Sequence, residues 1–282
     1  MLVFIATKRS ALIVYAHQSP NSFNAAARDV AVDVLQGQGC QVTVSDLYAM
    51  GFKPAATAQD IIGELQNPDH FRYNEEAMVA WQEGRLSEDI SAEQRKVEEA
   101  NLIIFQFPMY WFSMPAILKG WVDRVLTQGF AFTLPKMYNN GAFKDKKAIL
   151  SFTTGASEPM FLPDGINGDM NVTLWPIQYG VLNFCGFQVL PPQIFWAPAR
   201  SPPSVREAML EVWRTRLGAL WEETPLSFIK TDLFDLSLQT GFRLRPEVKE
   251  ELQADAYGIT TGHHLGKPLP PNNQMRPPPP AI

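Results

Sequence analysis

The chain has 282 residues, of which 46% are hydrophobic, and a net charge of −5. This supplies a full apolar core for one large domain or a domain with an appendage, and an acidic chain without a basic run argues against nucleic-acid binding. Its two cysteines, Cys40 and Cys185, are too few for a disulfide framework and lie in apolar surroundings, so reduced, buried thiols in a cytoplasmic protein are expected.

Residues 1–9 place an apolar block ahead of Lys8 and Arg9. That order is wrong for a secretory signal and the block is too short for a membrane span, so an N-terminal extension is expected. No later segment is long and apolar enough to span a membrane. Residues 12–16 form a continuous apolar run, as a parallel strand buried on both faces does. A short polar loop follows. Residues 25–35 then have helical spacing, with Ser22 and Asn24 as candidate caps. Free amides at such a helix start, with the helix dipole, make an anion site at the carboxyl end of the strand. The loop holds neither GxGxxG nor GxxxxGK(S/T). A phosphate held by Ser, Asn and His side chains and by amides points instead to a flavin protein of the flavodoxin type.

The helix meets stop signals at Gly37 and Gly39, and residues 41–45 read as a second strand. Residues 49–99 are a long insertion in which 93–99 read as a solvated, charged helix face. Residues 102–108 are a third strand, followed by a helix over 115–127 with Pro115 suited to its first position. Residues 147–154 and 187–190 are the fourth and fifth strands, and 203–223 the last long helix. Residues 172–187 are apolar almost all round and belong in a core or an interface. The alternation predicts an α/β, flavodoxin-like, doubly wound five-stranded parallel sheet of order 2-1-3-4-5, with its ligand at the switch point between strands one and three. The main domain is placed at 10–224, a small C-terminal appendage at 225–267, and a Pro-rich tail, extended or disordered, at 268–282.

Three loops share the ligand edge of such a sheet: residues 17–24, 108–115 and 153–157. Consecutive Tyr110, Trp111 and Phe112 between a strand and a helix suit a flat aromatic ligand that needs an apolar wall. Thr153, Thr154, Gly155 and Ala156 offer small side chains and exposed amides for the edge of a flavin ring.

The chain resembles the FAD-dependent NAD(P)H quinone reductases, the family of DT-diaphorase and quinone reductase 2. The resemblance is carried by Ser22-Phe-Asn24, Ser45-Asp-Leu-Tyr-Ala-Met50, Phe105-Gln-Phe-Pro108, Pro115-Ala-Ile-Leu-Lys-Gly-Trp121, Gly168-Asp-Met-Asn171, Leu174-Trp-Pro-Ile-Gln178, Phe184-Cys-Gly-Phe-Gln-Val-Leu190 and Gly262-His-His-Leu-Gly266. It implies a flavodoxin-like homodimer that binds FAD and reduces quinones by two electrons from NADH or NADPH. It further implies that His17, Ser22, Phe23 and Asn24 hold the FAD diphosphate and nearby groups. Pro108, Met109, Tyr110, Trp111 and Phe112, with Thr153 to Ala156, would hold the ring; Arg72, Arg206 and Leu210 would complete the site. Trp111, Phe112, Phe132, Leu134, Met137, Met160, Phe161, Asn167 and Phe184 would line the substrate pocket, with Leu238 and Phe242 nearby; Phe184, Leu238 and Phe242 would come from the neighbouring chain. The appendage resembles the one that helps bind the dinucleotide in DT-diaphorase.

The chain also departs from its relatives. Phe132 and Leu134 replace two tyrosines of DT-diaphorase, Tyr110 a glutamine, Arg72 a glutamine, Phe161 a tyrosine and Asn167 a histidine. Phe161 has no hydrogen bond to donate, and Asn167 is no acid at neutral pH. The histidine pair that binds metal in quinone reductase 2 is Tyr179 and Asn183 here, so no metal is expected. His263 and His264 are expected in a solvated turn. Gly155, Phe161 and Asn167 are the candidate positions for handling charge during hydride transfer, with amides near Gly155 as donors. Donor and acceptor in one place imply ping-pong kinetics. The alternative is a flavin-binding regulatory or stabilising subunit with weak turnover; an azo or nitro acceptor is a further one.

Overall fold

The structure is a computed structural model and describes residues 9–271. Its elements, in chain order, are β1 (Ser10–Tyr15), α1 (Phe23–Gly37), β2 (Gln41–Asp46), α2 (Tyr73–Gln82), α3 (Glu88–Glu99), β3 (Leu102–Pro108), α4 (Ala116–Val125), β4 (Lys147–Thr153), α5 (Met170–Ile177), β5 (Gln188–Val189), β6 (Gln193–Phe195), α6 (Pro203–Ala219) and α7 (Pro246–Glu251). Most of residues 1–9 and of the Pro-rich tail, for which an extension and an extended or disordered segment are expected, lie outside the described residues.

Every residue of β3 is buried. Successive strand side chains point to opposite faces, so β3 divides its apolar residues between two cores. Ile103, Phe105 and Phe107 join Leu12 and Val14 in the core that also holds Leu118, Trp121, Leu174 and Ile177. Leu102 and Ile104 join Ala11 and Ile13 in the other, with Ala27, Ala31, Leu35, Trp213 and Leu217 of α1 and α6. The sheet is therefore covered on both faces, as the sequence predicts for a doubly wound fold.

The strands run β2-β1-β3-β4-β5, and all pair in parallel. The predicted order holds, but the sheet has six strands and not five. β5 pairs with Lys147 and Ala148 of β4, whereas β6 pairs with Ser151 to Thr153 of the same strand. Pro191 and Pro192 separate β5 from β6. Prolines carry no N–H for a ladder, so one edge strand is cut into two short ones. Arg216 of α6 closes over the break, donating to the carbonyls of Pro191 at 2.6 Å and Pro192 at 3.0 Å.

Several helical details differ from the sequence reading. Pro115 is the N-cap of α4 and not its first helical residue. α6 ends at Ala219 and gives way to a 3-10 turn at Leu220–Glu222. Asn24 does not cap α1: Ser22 does, accepting from the Ala25 amide at 3.1 Å, while Asn24 is buried inside the helix. Glu93 is not solvated, being fully buried on the inner face of α3. It accepts from Trp121 Nε1 at 2.8 Å and from Ser45 Oγ at 3.0 Å, and pairs with Lys96. α3 is charged on one side only, and its carboxylate is kept because three donors converge on it.

A second buried ionic group fixes the insertion between β2 and β3. Arg124 of α4 is 1% exposed. It holds Asp60 through Nε at 3.0 Å and Nη2 at 2.9 Å, Asp89 at 2.7 Å and the Lys53 carbonyl at 2.9 Å. The neighbouring Gly120 lets the insertion approach, since a Cβ there would lie 2.2 Å from the Pro54 carbonyl oxygen.

Beyond α6 the chain has little regular structure. His263, expected in a solvated turn, is half-buried edge-on against Trp175, Tyr179 and Phe234, with Nδ1 2.8 Å from Thr260 Oγ1. Burial pushes its pKa below the usual imidazole value. Gly262 lies on the Trp175 indole, where a Cβ would come within 2.3 Å. Among the described residues no helix is long and apolar enough to cross a membrane. The Arg124 cluster sets a measurable cost: Arg124→Met leaves Asp60 buried without its cation, and urea unfolding is expected to show a loss of about 3–5 kcal/mol.

Candidate active site

The loops after β1, β3 and β4 meet at one edge of the sheet around a cavity of about 590 Å³. Of the residues singled out from sequence, His17, Ser22, Phe23, Asn24, Pro108, Tyr110, Thr153, Arg206 and Leu210 line it. Its floor is the start of α1. Ser22 Oγ takes up the Ala25 amide, and the amides of Phe23 and Asn24 have no acceptor within the helix. No acidic residue occupies that first turn, so the positive end of the dipole is not neutralised there. His17 Nδ1 accepts from the Ser19 amide at 2.9 Å, which puts the proton of the neutral ring on Nε2. Burial lowers its pKa and favours that neutral form. Arg206 of α6 spends one guanidinium nitrogen on the Ser201 carbonyl and lines the far wall. The arrangement fits an elongated anion: amides at the centre, a guanidinium at one end, and apolar side chains at the other.

The turn after β3, of which Tyr110 lines the cavity and Trp111 and Phe112 do not, is strained. Trp111 has φ 49° and Phe112 φ 59°, the left-handed region that favours glycine and asparagine. Tyr110 and Ser113 close the turn by exchanging both backbone hydrogen bonds at 3.0 Å. Two-residue turns with both central φ values positive usually carry Asn-Gly. Here two large aromatics stand there, Trp111 96% and Phe112 47% exposed. Behind them Phe161 is buried, edge-on to Phe112 with ring centroids 5.7 Å apart and against Trp196 at 5.7 Å.

Of residues 153–156, at the end of β4, only Thr153 lines the cavity. Thr154 is buried; its hydroxyl donates to the Ala156 carbonyl at 2.7 Å and accepts from the Ala197 amide at 3.3 Å. A Cβ on Gly155 would meet nothing within 4 Å, so the missing side chain serves to bare the backbone at the rim. Met109 donates its amide to the Thr153 carbonyl at 2.8 Å and so ties the second loop to the third.

Sequence reasoning missed what lies beneath. Ser151 Oγ donates to Gln106 Oε1 at 2.7 Å, Gln106 Nε2 to Asn24 Oδ1 at 2.9 Å, and Asn24 Nδ2 to Thr153 Oγ1 at 2.9 Å. All four residues are buried. The available signal was a polar residue in the interior of each of two strands, Gln106 in β3 and Ser151 in β4.

Other expected site residues are not gathered at this cavity. Arg72 is exposed at the N-cap of α2 and pairs with Glu75 at 2.9 Å. Phe132 packs on Phe184 with centroids 5.1 Å apart, beside Tyr138, and neither phenylalanine lines the cavity. Leu134 is 58% exposed, Met137 precedes the turn Tyr138–Asn140, and Leu238, 81% exposed, sits with Phe242 in a C-terminal turn. Met160 and Asn167 are joined through backbone, Asn167 N donating to Met160 O at 2.9 Å. Tyr179 is stacked on Trp175 at 4.3 Å. The buried chain is the testable part of this geometry. Gln106→Leu leaves Asn24 Oδ1 and Ser151 Oγ each without its partner, and a loss of about 1–3 kcal/mol per orphaned group is expected by urea unfolding. Restoring a carboxamide by Gln106→Asn is not expected to rescue, being one methylene short.

With this geometry in place, the chain was compared with known proteins. The flavodoxin-like fold family matches residues 9–217. NAD(P)H dehydrogenase (quinone) 1 of Cavia porcellus is 53% identical over 272 residues, covering 96% of this chain and 99% of the relative. Ribosyldihydronicotinamide dehydrogenase (quinone) of Homo sapiens is 53% identical over 218 residues, covering 77% and 94%. A Klebsiella pneumoniae structure provisionally assigned as a quinone reductase superposes with a TM-score of 0.81 at 35% identity, covering 91% of this chain and all of that one. The chain belongs to the flavodoxin-like NAD(P)H dehydrogenase (quinone) family.

Proposed function

We propose that the protein binds one FAD per chain in this cavity and reduces quinones with NADH or NADPH by ping-pong hydride transfer. The observation that carries the reading is the meeting, at one edge of the sheet, of a helix start with no acidic residue in its first turn and a strained aromatic turn. One end suits a diphosphate and the other a flat ring. When bound, the flavin supplies the two-electron redox chemistry. The chain's own residues do the rest. The Phe23 and Asn24 amides and the His17 Nε2–H bind the diphosphate, and Arg206 and Leu210 receive the adenosine arm. Trp111 and Phe112 hold the ring flat. The amides at Gly155 and Ala156, braced by Thr154, stabilise negative charge on the ring edge. Apolar Phe112 and Phe161 keep water from the reacting face.

The same reading covers assembly. Arg72, Phe184, Leu238 and Phe242 lie away from the cavity of their own chain, and a homodimer would let a neighbour supply them. Val172 and Leu238 are exposed and available for such an interface. Residues 10–224 would be the catalytic domain and 225–267 the appendage, in a cytoplasmic protein with two reduced thiols. Phe161 favours one second reading, a flavin-binding stabilising subunit with weak turnover, because its ring donates no hydrogen bond.

An absorbance spectrum separates these. The purified protein is expected to carry about one FAD per chain, to bleach under anaerobic NADH or NADPH, and to recover on adding a simple quinone. Colourless protein that FAD does not reconstitute would refute the flavin site; bleaching too slow to sustain turnover would favour the stabilising subunit. Phe161→Tyr restores a donor worth about 1.5–3 kcal/mol. Stopped-flow flavin reduction is expected to speed up roughly ten- to a hundredfold. An unchanged rate would remove this position from charge control.

A further inference from the structure

One wall of the cavity belongs to α6, and one residue on it is out of keeping with an anion site. Pro203, Arg206, Glu207 and Leu210 line that wall. Their spacing, i, i+3, i+4 and i+7, is that of a single helix face. The same face runs on through Trp213 and Leu217, which are fully buried in the core that α6 shares with α1. An apolar side chain is the ordinary occupant of such a stripe, yet position 207 carries a carboxylate. Glu207 is exposed, with the cavity in front of it. Among the described residues its carboxylate has no hydrogen-bond or ion-pair partner, and the neighbouring Arg206 turns to the Ser201 carbonyl instead.

The cavity therefore has two ends of opposite character. The start of α1 offers N–H donors and no acid in its first turn, so it accepts negative charge. Glu207 repels it. A ligand long enough to fill both ends covers Glu207, and covering a carboxylate is costly unless donors meet it. Such a ligand must carry O–H or N–H groups, and no phosphate, at the end away from α1. Pro198, Pro203 and Leu210 offer apolar surface there for a flat base. A carboxylate presents two acceptor oxygens, which match a vicinal pair of hydroxyls.

On the flavin reading of this cavity, we propose that Glu207 accepts hydrogen bonds from the 2′- and 3′-hydroxyls of the cofactor's adenosine ribose and so selects a flavin dinucleotide over a mononucleotide. FMN ends at its phosphate and leaves the carboxylate unmet. FAD reaches it with two donors.

The test uses full-length protein freed of cofactor and titrated with FAD, FMN, ADP and 2′-deoxy-ADP. Flavin binding is read by fluorescence quenching and nucleotide binding by calorimetry. The variants are Glu207→Ala and Glu207→Gln, the second keeping one acceptor oxygen. Glu207→Ala is expected to weaken FAD by about tenfold and to leave FMN unchanged, and Glu207→Gln to weaken FAD by about threefold. Wild type is expected to prefer ADP to 2′-deoxy-ADP by about fivefold, and Glu207→Ala to bind the two alike. A structural role alone would weaken both flavins together. FAD affinity unchanged in Glu207→Ala, FAD and FMN weakened alike, or wild type indifferent to the 2′-hydroxyl would each overturn the assignment. If wild type binds neither flavin but prefers ADP to 2′-deoxy-ADP, and Glu207→Ala loses that preference, the flavin reading falls and the role of Glu207 stands. Binding of none of the four ligands overturns both.

Discussion

Everything at the site is indexed to one buried chain of two carboxamides and two hydroxyls. Ser151, Gln106, Asn24 and Thr153 come from β4, β3, α1 and the end of β4, and each is desolvated. Burying four polar groups is costly unless all are paired, and here each hands a proton to the next. A helix packed on a sheet through apolar contacts alone could slide by a fraction of a turn at small cost. One packed through Asn24 cannot, because a displacement breaks hydrogen bonds to both β3 and β4. The start of α1 is thereby fixed against the sheet. Thr153 passes the constraint on, since its carbonyl accepts the Met109 amide. Three loops that are far apart in sequence share one reference point.

The aromatic turn depends on that rigidity. Two non-glycine residues in the left-handed region cost about 1–3 kcal/mol each. Trp111 recovers almost none of this by burial within its own chain, being 96% exposed. The turn is held by its neighbours: Met109 bonded to β4 on one side, Pro115 opening α4 on the other, and the Tyr110–Ser113 pair between. Strain of this kind, with a large apolar ring left bare, is what a pre-organised surface for a flat ligand requires. Any offsetting burial would have to come from outside the chain.

How legible this was in the sequence varied with the range of the interaction. β3 was readable end to end because a strand buried on both faces leaves an unbroken apolar run. The three ligand loops were readable because each lies between two strong local signals. Asn24 was misread as a cap because its chemistry suits a cap equally well; its true partners lie 82 and 129 residues away. Glu93 failed for the same reason, its donors Ser45 and Trp121 belonging to other elements. The split of the edge strand was visible as Pro191-Pro192, but the rejoining of β6 to β4 depends on Arg216 gripping the break. Arg72 has no role at the cavity of its own chain, and no local pattern shows whether a second chain supplies it.

Phe161 shows how the site redistributes a task. Rings of Phe112 and Trp196 flank it, and its own ring has no polar atom to offer a bound ligand. In the proposed reading, charge control on this wall falls to backbone. The amides at Gly155 and Ala156 are suited to it only if their loop does not relax when charge develops, since preorganisation is what makes a dipole useful in a transition state. Thr154 supplies that stiffness: its buried hydroxyl spans from the Ala156 carbonyl to the Ala197 amide, and its own amide bonds the Phe195 carbonyl at 3.0 Å. β6 is therefore more than an edge. By pairing with the end of β4 it brings Phe195 to Ala197 against the loop, so the strand fragment that Pro191 and Pro192 set free is the piece that braces residues 154–156.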